Sequence, residues 1–386
     1  MPEATAARRL ARRLRASGAR AAFLPRSWAR TATGTALALA VALGPPFERP
    51  LAASRGWLSC AYAAGAAANA TGMAPPGGSG PLPGFHSPPP MPNYASGTTA
   101  GGAIRRPPAR MPFYVATRGS TTIYLLGTLH VGDPYDFPPN QPPFRAPILA
   151  ALNASPILAL ELSPDELLVS QDDVSKYGIC RRPCLPQMLP KPLWAKLAAR
   201  MRGNPEALAE IRRMRPWLAS MLVETYDSLT AGLQTEYGTE AQLQNVFLRL
   251  KGRKVVGLET LAEQMRAFTG LTLAQQREML AQDVAQTPAQ DVADVNELVH
   301  LWRVGDADAI AAWEVARSER LAHNLRLSES IDNRVVYERN RRFVTRMVQI
   351  AAPNRPVFVA IGALHLGGRR GVLALLRQRG FTVEAG

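Results

Sequence analysis

The chain has 386 residues and a formal net charge of +15, but this charge is unevenly distributed. Residues 1–110 carry 13 Arg and 2 acidic residues, 13 − 2 = +11, whereas residues 111–386 carry 45 − 13 = 32 basic and 30 − 2 = 28 acidic side chains, or +4. The alkaline isoelectric point is therefore a property of the N-terminal segment. The body lacks a basic patch interleaved with aromatic residues, which argues against nucleic-acid binding.

The first 73 residues have the pattern of an export leader. Ala7–Arg20 is rich in arginine and contains no acid, and Ala32–Phe47 contains an uncharged apolar core. This core is within the range of a signal-peptide apolar region and short for a membrane span. We expect residues 1–73 to direct export to the periplasm or the extracellular space. A retained N-terminal membrane anchor is the alternative.

Residues 74–110 are rich in proline and glycine and contain few residues that could form a core. Such a segment predicts a disordered linker with polyproline character. His86 lies inside it and is expected to be a solvated linker residue rather than a metal ligand.

Cys180 and Cys184 are the two cysteines of the body. A three-residue spacer without a second Cys or His cluster is poor zinc spacing. In an exported protein the pair is expected to form a local disulfide.

From Met111 to Gly386 short β-rich runs alternate with long helical stretches, the pattern of an α/β domain. We predict a mixed central β-sheet with flanking helices and a large helical insertion. A hairpin is expected to turn at residues 118–120. Further strands are predicted at Pro156–Leu162, Lys254–Glu259, Pro356–Gly362 and 381–385, and helices at Leu185–Leu250 and Leu271–Ala352.

One motif occurs twice. IYLLGTLHVG (Ile123–Gly132) aligns with FVAIGALHLGG (Phe358–Gly368), each a hydrophobic run followed by Gly-x-Leu-His. Gly127 and Gly362 are expected at structural turns or close approaches of the backbone. His130 and His365 would then lie at strand ends, the usual location of ligands in α/β sheets. The repeat predicts pseudo-duplicated strand–GxxH units that converge on one site.

Two other predicted strands end in acids. Glu161 follows PILAL and Glu259 follows VVGL. A carboxylate after an apolar run is costly to bury unless it is paired or coordinated. Two histidines and two glutamates at strand ends form a possible set of nitrogen and oxygen metal ligands. A helix-capping role remains open, because Ser163 and Thr260 follow these acids.

The body resembles the TraB/GumN family, which includes the pheromone-shutdown proteins and the Tiki proteases. The resemblance covers residues 111–386 and rests on GTLH, ALELS, VVGLETLAEQMRAF, LVHLWRVGDADAI, ERNRRF and AIGALHLGGRRGVLALLRQRGF. It implies that His130, His365, Glu161, Glu259 and Arg339 share one site. Tiki proteases are metal-dependent peptidases, so the resemblance also implies a divalent metal ion, manganese or cobalt.

These observations lead to a hypothesis of metal-assisted hydrolysis of a peptide or amide bond. His130 and His365 would bind the metal, one glutamate would complete the ligand set, and the other would accept a proton from water. Arg339 would stabilise an oxyanion or hold a substrate carboxylate.

Four further polar residues are assigned supporting or surface positions. Asn340 would hydrogen-bond substrate or orient a glutamate. Asp133 is a lower-ranked site candidate, and His300 and His323 are expected to be surface or cap residues.

Two alternatives remain open at this point. The same cleft would serve a protein that binds a peptide, a pheromone or a haem-like ligand without turnover. It would also serve hydrolysis of a substrate that is not a peptide, as in erythromycin-esterase-like relatives. A peptide or protein is the expected partner in the main hypothesis, with a possible membrane tether through the leader.

Overall fold

The computed structural model describes residues 108–138, 141–169 and 176–386. The predicted leader and nearly all of the predicted linker, with His86, lie outside the described residues. The last three residues of the predicted linker are described, and Ala109 and Arg110 contact the domain. Ala109 is buried, and the backbone N–H of Arg110 donates to the carbonyl of Arg303 at 2.9 Å.

Six strands form one mixed sheet in the order β4-β3-β5-β2-β1-β6. The strands are β1 Phe113–Arg118, β2 Thr121–Thr128, β3 Ile157–Leu160, β4 Lys254–Gly257, β5 Val357–Gly362 and β6 Thr382–Ala385. β4, β3, β5 and β2 are parallel neighbours, whereas β1 pairs antiparallel with both β2 and β6. The predicted α/β fold with a mixed sheet is confirmed.

The sequence of each strand explains its place in the sheet. β5 reads VFVAIG and its first five residues are all buried, as expected for a parallel strand covered by helices on both faces. β1 and β2 form the predicted hairpin, with Arg118 opposite Thr121 and Gly119-Ser120 as the two-residue turn. Gly119 has a φ of 58°, a conformation that favours glycine.

Helices surround this sheet and occupy most of the chain between β3 and β5. Those described are α1 Ala146–Ala154, α2 Pro164–Val169, α3 Leu185–Met188, α4 Lys191–Arg200, α5 Pro205–Ile211, α6 Pro216–Thr230, α7 Thr239–Phe247, α8 Leu261–Thr269, α9 Leu273–Asp283, α10 Pro288–Val304, α11 Ala307–Leu321, α12 Leu325–Asp332, α13 Glu338–Ile350 and α14 Val372–Gln378. Short 3₁₀ turns occur at Pro134–Asp136, Thr235–Tyr237 and Ala363–His365, and a π-helical turn at Asn333–Tyr337 precedes α13.

Buried apolar residues form three clusters. One covers a face of the sheet and includes side chains of α1, α7 and α10, and a second covers the other face with α13 and α14. The third lies among α3 to α6, α8 and α9 and corresponds to the predicted helical insertion. In the part of the chain that the structure describes, no helix is long and apolar enough to cross a membrane.

The four parallel strands end at the same edge of the sheet, and this edge positions the candidate site. Glu259 follows β4, Glu161 follows β3, His365 follows β5 and His130 follows β2. Because β2 and β5 are neighbours, the two GxxH motifs lie side by side, with Thr128 opposite Gly362. The predicted pseudo-duplication is not confirmed, because the elements that follow the two motifs differ.

Candidate functional site

A buried guanidinium lies at the centre of the site. Arg339 is the second residue of α13, on the face of that helix that packs against the sheet. The preceding π-helical turn displaces the helix register, as such turns often do at functional sites. The side chain of Arg339 is only 5 % exposed.

All five N–H groups of Arg339 have acceptors. Nε donates to Glu259 Oε1 at 3.0 Å, and one terminal nitrogen donates to Glu161 Oε2 and to Glu259 Oε1, both at 2.6 Å. The other terminal nitrogen lies 3.3 Å from the carbonyl of Val335 and 3.3 Å from His365 Nε2. Arg339 therefore organises both glutamates and one histidine, and it keeps no donor for a substrate.

Glu259 is the more enclosed glutamate, with a side-chain exposure of 0 %. Besides Arg339 it accepts a hydrogen bond of 3.1 Å from Gln264 Nε2 in α8. Burial raises the pKa of Glu259, and the nearby charge of Arg339 opposes this. Capping of α8 is performed by Thr260 and Glu263, so Glu259 is not the cap of that helix.

Glu161 has a different environment. Its Oε2 accepts from Arg339, and its Oε1 accepts from the backbone N–H of Gly362 at 2.8 Å. Burial alone would raise the pKa of Glu161, but the charge of Arg339, with help from protonated His130 and the N–H of Gly362, holds it well below its usual range. Glu161 is therefore an anion at any physiological pH and lies within the electrostatic reach of both histidines.

Asn340 determines which ring nitrogen of His365 carries the proton. The amide Nδ2 of Asn340 donates to the carbonyl of Arg370 at 3.0 Å, so its Oδ1 faces His365 Nδ1 at 2.6 Å as an acceptor. Nδ1 must then carry the proton, and Nε2 retains its lone pair. Burial lowers the pKa of His365 to about 3, which keeps the ring neutral. Asn340 thus orients a histidine, whereas the sequence suggested a contact with substrate or glutamate.

His130 is the most accessible member of the site, with a side-chain exposure of 28 %. Its Nδ1 forms an ion pair with Glu240 Oε1 at 3.0 Å. Burial would lower the pKa of His130, but Glu240 outweighs this and raises it to about 9, with smaller contributions from Glu161 and Glu224. The two histidines of the repeated motif therefore differ in charge, although their sequence contexts are alike.

Of the two expectations for the motif glycines, a structural turn or a close approach of the backbone, the structure shows close approach at both, and Gly362 also directly precedes the 3₁₀ turn Ala363–His365. Gly127 lies inside β2 and Gly362 ends β5, and neither has a positive φ. A side chain at Gly127 would collide with Leu366, and one at Gly362 would lie 3.2 Å from Glu161 Oε1.

The minor candidates lie apart from this network. Asp133 caps the 3₁₀ turn Pro134–Asp136 through a 2.9 Å hydrogen bond from the N–H of Tyr135. His300 and His323 are both exposed, as predicted for surface residues.

Three residues of the site were missed by sequence reasoning. Glu240 pairs with His130, Gln264 donates to Glu259, and Trp302 donates from Nε1 to the carbonyl of Gly127 at 2.9 Å. Each lies within a helical sequence in which polar and aromatic residues are common. Nothing in their local sequence distinguishes them from helix-surface or core residues.

The donors of the site fit a divalent cation in their chemistry. His365 Nε2 and Glu161 Oε1 are 3.8 Å apart, a spacing that two ligands of one ion allow when each bond is about 2.0–2.2 Å. An ion here would replace the long contact between Arg339 and His365. Across the described ranges, no group of three or more His, Cys, Asp or Glu side chains has the spacing of a metal site. His365 and Glu161 are thus the pair that would hold the ion, and the place of His130 as a ligand stays a prediction.

The cysteine pair lies away from this edge of the sheet. The structure joins Cys180 and Cys184 in a disulfide, with their Cα atoms 6.3 Å apart. The backbone N–H groups of both residues donate to the segment before α6, at Arg213 and Arg212.

Comparison with known proteins gives one match. The model of the TraB/PrgY/gumN family matches residues 112–385, which include every strand-end residue of the site. No curated protein and no solved structure shows significant similarity to the chain.

Proposed function

Because the chain belongs to the TraB/PrgY/gumN family, we propose that it is a metal-dependent hydrolase that cleaves a peptide or amide bond. The observation that supports this most is the meeting of two histidines and two buried glutamates at the carboxyl edge of four parallel strands. Open α/β sheets bind their ligands at such edges. A peptide or protein is the proposed substrate.

His365 and Glu161 would hold the divalent ion, with His130 as the third ligand. When bound, the ion would polarise the scissile carbonyl and lower the pKa of water, and manganese or cobalt is the identity that the family implies. Asn340 keeps the Nε2 lone pair of His365 available, and Arg339 fixes the carboxylate of Glu161 beside it.

The structure favours different roles for the two glutamates. Glu161 is adjacent to His365, whereas Glu259 is fully enclosed and bonded to Arg339 and Gln264. We assign Glu161 to the metal and Glu259 to the anchoring of Arg339. Proton transfer by Glu259 would require Arg339 to release one carboxylate oxygen. Arg339 would act on the reaction through its hydrogen bond to Glu161.

Metal analysis and peptide-library cleavage on the purified full chain test this function. Wild type is compared with His365→Ala, and His300→Ala serves as a control because His300 is exposed and outside the site. We expect bound divalent metal and cleavage in wild type and in the control, and loss of both in His365→Ala. Absence of metal from wild type, together with unchanged activity in His365→Ala, would contradict the proposal.

A ligand-binding protein without turnover is the second candidate, and one observation favours it. Four N–H groups of the Arg339 guanidinium point to oxygens of the protein and the fifth faces His365, so none points to a developing negative charge on a substrate. Tight metal binding without cleavage of any library peptide would support this candidate.

We also propose that the protein is exported, with its N-terminal segment as signal or anchor. The support is the arginine-rich run followed by an apolar core in residues 1–73.

A further inference from the structure

Glu240, the second residue of α7, connects two residues at the end of β2. Its Oε1 accepts a 2.5 Å hydrogen bond from Thr128 Oγ1 and lies 3.0 Å from His130 Nδ1. The Glu240 side chain is 7 % exposed. A single carboxylate oxygen thus contacts the last residue of β2 and the histidine of the motif.

The backbone around this contact is fixed on both sides. The N–H of Thr239 donates to the carbonyl of Leu129 at 2.8 Å, and the N–H of Leu129 donates to Thr239 Oγ1 at 3.1 Å. Gly238 packs so closely against the carbonyl of His130 that a side chain would collide with it. The position of Glu240 relative to His130 is therefore determined by the main chain and not by a flexible surface side chain.

The environment of Glu240 is unusual for a residue that only stabilises the fold. Its Oε2 is buried and has no hydrogen-bond partner among the residues that the structure describes. Buried polar atoms are nearly always hydrogen-bonded, because an unsatisfied buried atom loses the hydrogen bonds that water would supply. His130 Nδ1 is also buried and forms no hydrogen bond of good geometry with the described residues, and Glu240 Oε1 contacts it as an ion pair at 3.0 Å.

The arrangement parallels that of the other motif histidine. His365 meets Asn340 Oδ1 at its Nδ1, and Asn340 lies in the first turn of α13. His130 meets Glu240 Oε1 at its Nδ1, and Glu240 lies in the first turn of α7. In both cases an oxygen from a helix start contacts Nδ1, so a ligand could bind only at Nε2, which in His130 must first release its proton.

We infer that Glu240 is a positioning residue that holds His130 through Nδ1 and directs the ligand-binding role to Nε2. This inference rests on the proposed function, in which His130 contributes to metal binding. Oxygen acceptors behind histidine ligands orient the ring, and their removal usually weakens metal binding about 10–100-fold.

Titration calorimetry of the full chain with Mn²⁺ measures this effect. Glu240→Ala is expected to weaken binding about 10–100-fold, and Glu240→Gln, which keeps an acceptor of the same shape, to weaken it less. Glu236→Gln is the matched control, because Glu236 is an exposed glutamate in the 3₁₀ turn just before α7. The inference is overturned if His130→Ala binds Mn²⁺ more weakly than wild type but Glu240→Ala binds it with unchanged affinity. If Glu240→Ala does not fold, an affinity of Glu240→Gln equal to that of wild type overturns it.

A second measurement does not depend on metal. NMR of the histidine-labelled, metal-free chain should show an Nδ1–H signal protected from exchange by burial and by the ion pair with Glu240, assigned to His130 by its loss in His130→Ala. We expect this signal to shift in Glu240→Gln, to disappear in Glu240→Ala, and to persist in Glu236→Gln. Persistence in Glu240→Ala would contradict the role of Glu240. If wild type does not bind Mn²⁺ but the NMR result is as expected, the proposed metal dependence is contradicted and the role of Glu240 is retained.

Discussion

At the scale of single residues, Arg339 compensates the charge of two buried carboxylates that would otherwise destabilise the site. Glu161 and Glu259 are 7 % and 0 % exposed, and both accept from the same guanidinium nitrogen at 2.6 Å. Removing one partner of a buried ionic cluster leaves uncompensated charge in a medium of low polarity. The two glutamates therefore depend on one arginine for their place in the fold.

Replacement of Arg339 by methionine should lower the free energy of unfolding by about 3–5 kcal/mol, because two buried carboxylates lose their cation. Urea denaturation measures this change. Arg341→Met is the control, since Arg341 is exposed on the same helix, and it should change stability by less than about 0.5 kcal/mol. Equal effects of the two substitutions would show that the charge cluster contributes no stability.

His130 should give the protein a distinct pH dependence. Its pKa is raised to about 9 in the fold, above its ordinary value near 6.5, so the folded state binds more protons in this interval. The stabilisation is complete below about pH 6.5 and is lost as the pH rises through about 9. Urea denaturation in the presence of chelator should show this decline in wild type. The same decline in His130→Gln would assign it to another group.

At the scale of elements, the strand ends are held in place by the helices that follow or face them. The end of β2 contacts the start of α7 through Leu129, Thr239 and Gly238, and the end of β5 contacts Glu161 through the N–H of Gly362. The backbone at these strand ends is therefore held by hydrogen bonds to both main-chain and side-chain atoms of neighbouring elements. A change in these contacts should affect the histidines without altering them directly.

Gly238→Ala should destabilise the fold by about 1–3 kcal/mol, because the added methyl would collide with the carbonyl of His130. Metal binding through His130 should weaken at the same time. Gly203→Ala is the control, since a methyl at Gly203 would meet no atom within 4 Å. Thermal denaturation of both variants compares the two sites, and similar melting temperatures would contradict the close contact.

At the scale of the whole molecule, the positive charge is concentrated in the N-terminal segment of the sequence, and the domain that contains the site is nearly neutral. Residues 1–110 account for +11 of the net charge of +15, whereas the site is built entirely within residues 112–385. The disulfide between Cys180 and Cys184 is consistent with an oxidising compartment, where such bonds persist.

Export predicts a shortened N-terminus and an oxidised cysteine pair in the cell fraction that contains the protein. N-terminal sequencing and thiol labelling of fractionated cells test both, with labelling before and after reduction. A signal peptide predicts loss of the leader, and a retained anchor predicts an intact leader in the membrane fraction. An intact leader in the cytoplasm with both cysteines reactive would contradict export.

Reduction of the disulfide should lower the free energy of unfolding of the domain by about 2 kcal/mol, as expected for a short closed loop.

Much of the fold was accessible from local patterns. Apolar runs predicted the strands, and the turn residues 118–120 predicted the hairpin. The spacing of apolar residues every three or four positions predicted the helical regions. The candidate residues at strand ends could also be predicted from the sequence, because a polar residue directly after an apolar run is easy to recognise there. The partners Glu240 and Gln264 were not, since each becomes significant only beside a residue that is distant in sequence.

The sequence by itself determined the α/β class, the family resemblance and the strand-end positions of His130, His365, Glu161 and Glu259, because these depend on short-range periodicity and motif spacing. Only the tertiary structure decided that β2 and β5 are neighbours and that Arg339 uses all its donors inside the protein. It also decided that His365 is neutral and that His130 is protonated at neutral pH, because their pKa values shift in opposite directions. The physical reason is that burial and charge at a site are set by contacts between helices and strands far apart in the chain.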